Sequence, residues 1–207
     1  MNPKYKALRL AKDNKENRNI VIIRHGATPD EHTAMGGWSS EGLGAKGKQE
    51  AKNAAREIPK DVEGIVTSDL NRAVKTAEII SKETGIPIVE KDPDLRSWKL
   101  GKFEGENPKD VEPILEHFAQ YEPNLKIPGG GESFNQYKDR FLRGVEKIRR
   151  KYKGHKIAIL THSHGTRIIR AWEKEGQPKD FKIDKQNYKG RAMENGGVET
   201  TKVKTEK

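Results

Sequence analysis

A three-layer α/β/α fold around a mostly parallel sheet is predicted by three features of this 207-residue sequence. Short apolar runs rich in β-branched residues stand at 20–23, 65–66 and 157–160, the pattern of strands buried on both faces. Between them, apolar residues recur at helical spacing. Two of the runs lead straight into a histidine, at His25 and His162. Strands that alternate with helices form a layered fold whose sheet is largely parallel.

Residues 1–19 read as a polar N-terminal extension, helical around 5–10, and 20–207 as a single domain. The extension mixes Lys, Arg, Asp and Asn without an apolar stretch, so it is not a signal peptide. Ile20-Val21-Ile22-Ile23 forms the first strand, with Arg24-His25-Gly26 at its carboxyl end. A Gly-rich loop (Gly36, Gly37, Gly42, Gly44) precedes a helix marked by Ala51, Ala54, Ala55 and Ile58. Residues 62–67 read as the second strand. Leu70, Ala73, Val74, Ala77 and Ile80 then keep helical spacing until Gly85 and Pro87 close the helix. Residues 86–89 make a short third strand.

From 92 to 131 the pattern dissolves into Pro- and Gly-containing loops around a helix near 111–121. Ser133 and Gln136 have capping-box spacing. The stripe Phe134, Tyr137, Phe141, Val145, Ile148 and Tyr152 then predicts a long amphipathic helix. Residues 157–161 form another buried strand ending at His162, and 168–172 continue into a helix. The last element, 198–203, is an edge strand on which a second copy could pair as a homodimer.

Composition narrows the function classes. Lys plus Arg number 41 against 31 for Asp plus Glu, a formal charge of +10 that favours anionic ligands. The lysines are interleaved with acids, as in Lys46-Gly47-Lys48-Gln49-Glu50, and only 6% of residues are aromatic. A nucleic-acid partner, which would ask for a clustered basic face with aromatics, is therefore not expected. The absence of cysteine removes disulfides, thiol catalysis and thiolate metal sites, and fits a cytoplasmic location. No stretch approaches the roughly 18 apolar residues of a membrane helix, so no membrane partner is expected.

Ligands of open α/β sheets bind beyond the carboxyl ends of the strands. Arg24-His25-Gly26 and Thr161-His162 stand there, as does Thr67-Ser68-Asp69-Leu70-Asn71-Arg72, which puts Arg72 in the first turn of a helix. Two Arg and two His converging from three strand ends form an anion site by charge and donor geometry.

These residues resemble the histidine phosphatase superfamily, the phosphoglycerate mutase-like family. Arg24-His25-Gly26-Ala27-Thr28 is similar to its Arg-His-Gly-Glu-Thr signature. The similarity runs on, in order and spacing, through Gly37-Trp38, Leu43, Gly47, Gln49 and Ser68-Asp69-Leu70-Asn71-Arg72-Ala73 with Thr76-Ala77. It continues through Leu95-Arg96, Gly101-Lys102-Phe103-Glu104-Gly105, residues 128–133 and Thr161-His162. The resemblance implies a phosphoglycerate mutase-like fold and a small phosphorylated substrate. It implies that His25 attacks phosphorus and that Arg24, Arg72, His162 and Thr28 bind the phosphate, with no metal and no organic cofactor. The chemistry suits those residue types. A neutral imidazole can form a phosphohistidine, and forked guanidinium donors match equatorial phosphoryl oxygens.

In Thr161-His162-Ser163-His164-Gly165 the second site histidine is assigned to His162, because this makes 157–160 the strand and sets Arg167 at the family's arginine position. His164 could line the pocket, but as a loop histidine it reads first as a hydrated residue. A His-x-His pair could also take a metal, but no Cys or carboxylate stands at ligand spacing and the arginines would repel a cation. Where the family has its acid Glu after Leu-Arg, this chain has Ser97. Glu104 is the aligned carboxylate that could replace it, either as acid or simply by holding a loop; Asp94 and Glu31 are others. Glu31 also stands where many members have Asn near the phosphate. The 95–101 segment resembles a phosphatase-like subset, which favours a metal-independent phosphatase over a mutase. A catalytically weak phosphate-binding module is the alternative from another class.

Overall fold

The computed structural model of the chain describes residues 20–176, 181 and 192–201. Side chains part to the two faces of a sheet in alternation along each strand, and that alternation builds the layers. In β1 (Val21–Arg24) and β4 (Ile157–Thr161), Ile22, Ile157 and Ile159 face one way and Val21, Ile23, Ala158 and Leu160 the other. β2 (Gly64–Thr67) splits likewise, with Val66 on the first face and Ile65 on the second.

The second face is covered by α1 (Ala45–Glu57) and α2 (Asn71–Thr84), through Ala54, Ala55, Ala73, Ala77 and Ile80. The first face is covered by α3 (Pro108–Tyr121), α4 (Phe134–Lys151) and α5 (Ser163–Lys174), whose Leu115, Phe141, Val145, Ile148 and Ile168 surround the larger core. With β3 (Ile88–Lys91) and β5 (Val198–Thr200) the sheet has five strands in the order β3-β2-β4-β1-β5. The three pairings among β1 to β4 are parallel, and β5 closes the edge antiparallel to β1, with Ile22 opposite Glu199. The predicted three-layer α/β/α architecture is the observed one.

Local signals act where the sequence placed them. Ser133 accepts from the Gln136 amide at 3.2 Å and Gln136 Oε1 from the Ser133 amide at 3.0 Å, the capping box that starts α4. Gly85 ends α2 at φ 75°, a left-handed conformation that costs glycine least. Two boundaries differ from expectation. The third strand begins at Ile88, because Pro87 brings no N–H to the ladder and only its carbonyl is used, by Ile65 N at 2.9 Å. The last helix begins at Ser163 rather than 168, with His162 as its N-cap. The helical reading of 5–10 falls outside the described residues. Among the described residues no helix is long and apolar enough to cross a membrane.

Candidate active site

Both parallel strands at the centre of the sheet deliver their last residues to one place. The His25 amide donates to Thr161 O at 3.0 Å, so the ends of β1 and β4 are tied together and the two histidines that follow them meet. Their ring centroids are 4.9 Å apart and tilted by 59°. The chain then turns under α1. A β-carbon on Gly26 would overlap the Gly47 carbonyl oxygen, and one on Gly47 would overlap the Ala27 carbonyl oxygen. Glycine at both positions is what lets the histidine loop lie against the helix. The Gly26 amide donates to Thr76 Oγ1 at 3.1 Å, which itself donates to Arg72 O at 2.8 Å and so joins the loop to α2.

A hydrogen bond to a carbonyl assigns the proton of the His25 ring. His25 Nδ1 lies 2.7 Å from Gly26 O. A carbonyl only accepts, so Nδ1 carries the hydrogen and Nε2 keeps its lone pair. His162 Nε2 lies 2.9 Å from Ser68 Oγ, which already accepts from the Leu70 amide at 3.3 Å. With one proton and a second lone pair, the Ser68 hydroxyl can donate to Nε2 or accept from it, while His162 Nδ1 is buried with no partner among the described residues. Both imidazoles are held well below the ordinary histidine range, first by burial and next by the charge of Arg72. They are neutral at neutral pH.

Arg72 is 3% exposed in the first turn of α2. Its Nη2 donates to Gly37 O at 2.7 Å and its Nη1 to Ser39 O at 3.3 Å. Burial lowers it to about 10, the mark of a guanidinium short of water. Gly36 lies against it, with space where a side chain would otherwise stand. Arg24 donates through Nη1 to Met193 O at 2.6 Å and meets Glu31 Oε1 at 3.5 Å, while its buried Nε has no partner. Burial also lowers Arg24. Asn195 Nδ2 closes on the same Glu31 oxygen. Glu31 is therefore not turned away from the site; it neutralises one of the arginines.

The structure brings His25, His162, Arg24 and Arg72 together as expected. Thr28 stands half-exposed in the loop after Ala27, and its carbonyl accepts from the Glu31 amide at 3.4 Å. Glu104 comes alongside the Gly36–Trp38 loop, where Oε1 accepts from the Trp38 amide at 3.1 Å and the Leu100 amide at 3.3 Å. Gly37, at φ 42°, packs so closely that a β-carbon would collide with the Glu104 side chain. Ser97 is buried; its carbonyl accepts from Trp38 Nε1 at 2.8 Å and Arg140 Nη2 at 3.1 Å. The Asp94 Cβ faces Gly144 on α4.

His164 is a correction. It is no hydrated loop residue: it sits buried in the first turn of α5, edge-on to Trp98 at 5.7 Å, and burial pulls it down to about 3. Two further residues were not anticipated. Ser68 orients His162, and Glu41 stands close enough to Arg72 to feel its charge. Partial burial and a hydrogen bond with Asp30 hold the Glu41 carboxyl above the ordinary range. Among the described residues no three His, Cys, Asp or Glu gather as a metal site would require.

Fold and site together define the class of α/β enzymes that handle phosphoryl groups. Residues 20–195 match the profile of the histidine phosphatase superfamily (branch 1). Phosphoglycerate mutase-like protein 4 of Arabidopsis thaliana is 31% identical over 173 residues, 80% of this chain and 74% of that protein. The metal-independent phosphoserine phosphatase of the same plant is 32% identical over 157 residues, 72% of this chain and 66% of that protein. The solved structure of Bacillus stearothermophilus YhfR superposes with a TM-score of 0.73 at 30% identity, covering 90% of this chain and 91% of that one. The chain belongs to the histidine phosphatase superfamily and is an enzyme of its phosphatase and mutase-like kind.

Proposed function

We propose that this chain is a metal-independent phosphomonoesterase working through a phosphohistidine on His25. The observation that supports it most is the His25 tautomer: Nδ1–H donates to Gly26 O, so the free lone pair is on Nε2 of a ring that lies 4.9 Å from that of His162. In the first step Nε2 attacks phosphorus, an N–P bond forms, the P–O bond to the leaving group breaks, and the departing oxygen takes a proton. Arg24, Arg72 and His162 hold the equatorial oxygens, positioning and neutralisation being most of what phosphoryl transfer needs. Water then attacks the phosphohistidine, the N–P bond breaks, and inorganic phosphate leaves with His25 neutral again. Thr28 adds a contact to the phosphate. The relative named as a metal-independent phosphoserine phosphatase fits this scheme.

The test is phosphate release from an activated aryl phosphate with a chelator present, wild type beside His25→Ala. Turnover and an acid-labile phosphoprotein are expected in the first and neither in the second. Vigorous turnover by the variant would remove His25 from the nucleophile role. Arg72→Ala is expected to raise KM and lower kcat together, by about 10²-fold or more in kcat/KM, as for the loss of a preorganised charge. A phosphotransferase would use the same phosphoenzyme, and transfer to a second phosphoglycerate instead of water would reveal it.

A further inference from the structure

The peptide unit between Gly26 and Ala27 is engaged by a side chain at each end. Its carbonyl accepts from His25 Nδ1 at 2.7 Å, and its N–H donates to Glu50 Oε2 at 2.8 Å. A trans peptide points its C=O and its N–H to opposite sides. One amide therefore stands between the imidazole and the carboxylate, and both hydrogen bonds run toward Glu50.

Helix α1 brings Glu50 to this place. Gly47, one turn earlier, lies so close to Gly26 and Ala27 that neither glycine could carry a β-carbon. Gly196 closes on Glu50 from the other side, where a β-carbon would meet the Glu50 carbonyl oxygen at 2.8 Å. The neighbouring groups of the loop are tied elsewhere, the Gly26 amide to Thr76 Oγ1 at 3.1 Å and the Ala27 carbonyl to the Gly44 amide at 3.0 Å. A neutral acceptor for the Ala27 amide would complete that framework; a carboxylate does more. The Glu50 side chain is only 18% exposed, and its other oxygen lies 3.6 Å from Lys46 Nζ, an exposed ammonium that water screens.

A carboxylate at a peptide N–H draws electron density toward the peptide oxygen, and hydrogen bonds aligned in one direction strengthen one another. The Gly26 carbonyl is thereby a stronger acceptor for Nδ1–H. When Nε2 gives its lone pair to phosphorus, positive charge builds on the ring and Nδ1–H becomes more acidic. The cations that face His25, Arg72 and Arg24, both oppose that charge, and the His162 ring beside it brings no anion. The arginines that suit the phosphate thus work against the nucleophile.

We propose that Glu50 is a positioning residue for the nucleophile: through the Gly26–Ala27 peptide its carboxylate fixes the Nδ1–H tautomer of His25 and offsets the charge the ring gains on phosphorylation. This rests on the phosphohistidine scheme above and adds a residue that acts on the imidazole without touching it.

The test is Glu50→Gln, whose side-chain carbonyl can still accept from the Ala27 amide but carries no charge. Rapid-quench measurement of phosphoenzyme formation from an activated aryl phosphate is expected to show a rate about fivefold lower at saturation, the difference between a charged and a neutral hydrogen bond. The half-saturating concentration should stay within about twofold. In protein labelled with 15N at histidine, the Nδ1–H resonance of His25, assigned by its loss in His25→Ala, is expected to move upfield in the Gln variant. Glu50→Ala, which also orphans the Ala27 amide, should lose about 20-fold; if it fails to fold, the Gln variant still decides. An unchanged rate of phosphorylation, a loss confined to the half-saturating concentration, or a resonance that does not move would each overturn the proposal and leave Glu50 as a loop anchor. If wild type forms no phosphoenzyme, the phosphatase reading fails instead, and the ring-proton resonance alone decides whether Glu50 acts on His25.

Discussion

Ser68 Oγ stands 2.9 Å from His162 Nε2, and this contact orients the second imidazole of the site. Removing the hydroxyl leaves His162 Nε2 without this partner. Ser68→Ala is therefore expected to lower kcat on an aryl phosphate by about 3- to 10-fold, the worth of one neutral hydrogen bond. Thermal stability should change little. An unchanged kcat would show that His162 needs no such partner.

Glu31 pairs with Arg24, the guanidinium that holds the phosphate in the proposed scheme. Unit charges 4 Å apart attract by about 4 kcal/mol near a protein surface, and partial exposure screens much of this. With the pair at 3.5 Å, Glu31→Gln is expected to tighten inhibition by orthophosphate or vanadate about fivefold. Weaker inhibition would mean that Glu31 supports the arginine rather than occupying it.

Proton donation to the leaving group separates two carboxyls. Glu104 Oε1 is engaged by two amides, and a glutamine carbonyl can accept from both. Glu104→Gln is thus expected to change all substrates alike, by less than about threefold. Glu41, beside Arg72 and bonded to Asp30, has a carboxyl held above the ordinary range. Glu41→Gln should slow alkyl esters more than aryl esters, by roughly tenfold or more, the low end of general acid catalysis. The two variants measured on paired substrates check both statements; selective loss in the Glu104 variant would reverse the assignment.

Three buried imidazoles make folding sensitive to acid. His25, His162 and His164 are all held low, His164 at about 3, with burial the first cause in each. In the unfolded chain each titrates near about 6.5. Below that pH the unfolded state binds more protons than the folded one, so stability is complete above it and falls as pH drops. The slope is about 1.4 kcal/mol per pH unit for each histidine. Urea midpoints followed from about pH 8 to about pH 5 should show this decline. His164→Gln, outside the catalytic set, should reduce the slope by roughly one third; an unchanged slope would mean that His164 is not buried neutral.

The sheet and its helices were readable because burial on two faces writes itself as apolar runs, and a helix face as a stripe. Gly85 and the Ser133–Gln136 pair read correctly for the same local reason. What escaped came from other parts of the chain. His164 looks polar in sequence, and its burial depends on Trp98, which lies far from it in the chain. Ser68 looks like a turn residue until His162 arrives beside it. Glu31 looks misplaced near a phosphate until Arg24 and Asn195 are seen on the same carboxylate.

The closing of β5 against β1 carries one more consequence. Gly196 N donates to the carbonyls of Arg24 and His25, and Met193 O holds the Arg24 guanidinium. The pocket is thus assembled from residues about as far apart in order of synthesis as the domain permits. While the chain is still on the ribosome, α1 and α2 can form and Arg24 can meet Glu31, but the Met193 carbonyl that takes its Nη1 is not yet made. Activity is therefore the last property the chain acquires, and the first that clipping behind α5 would remove.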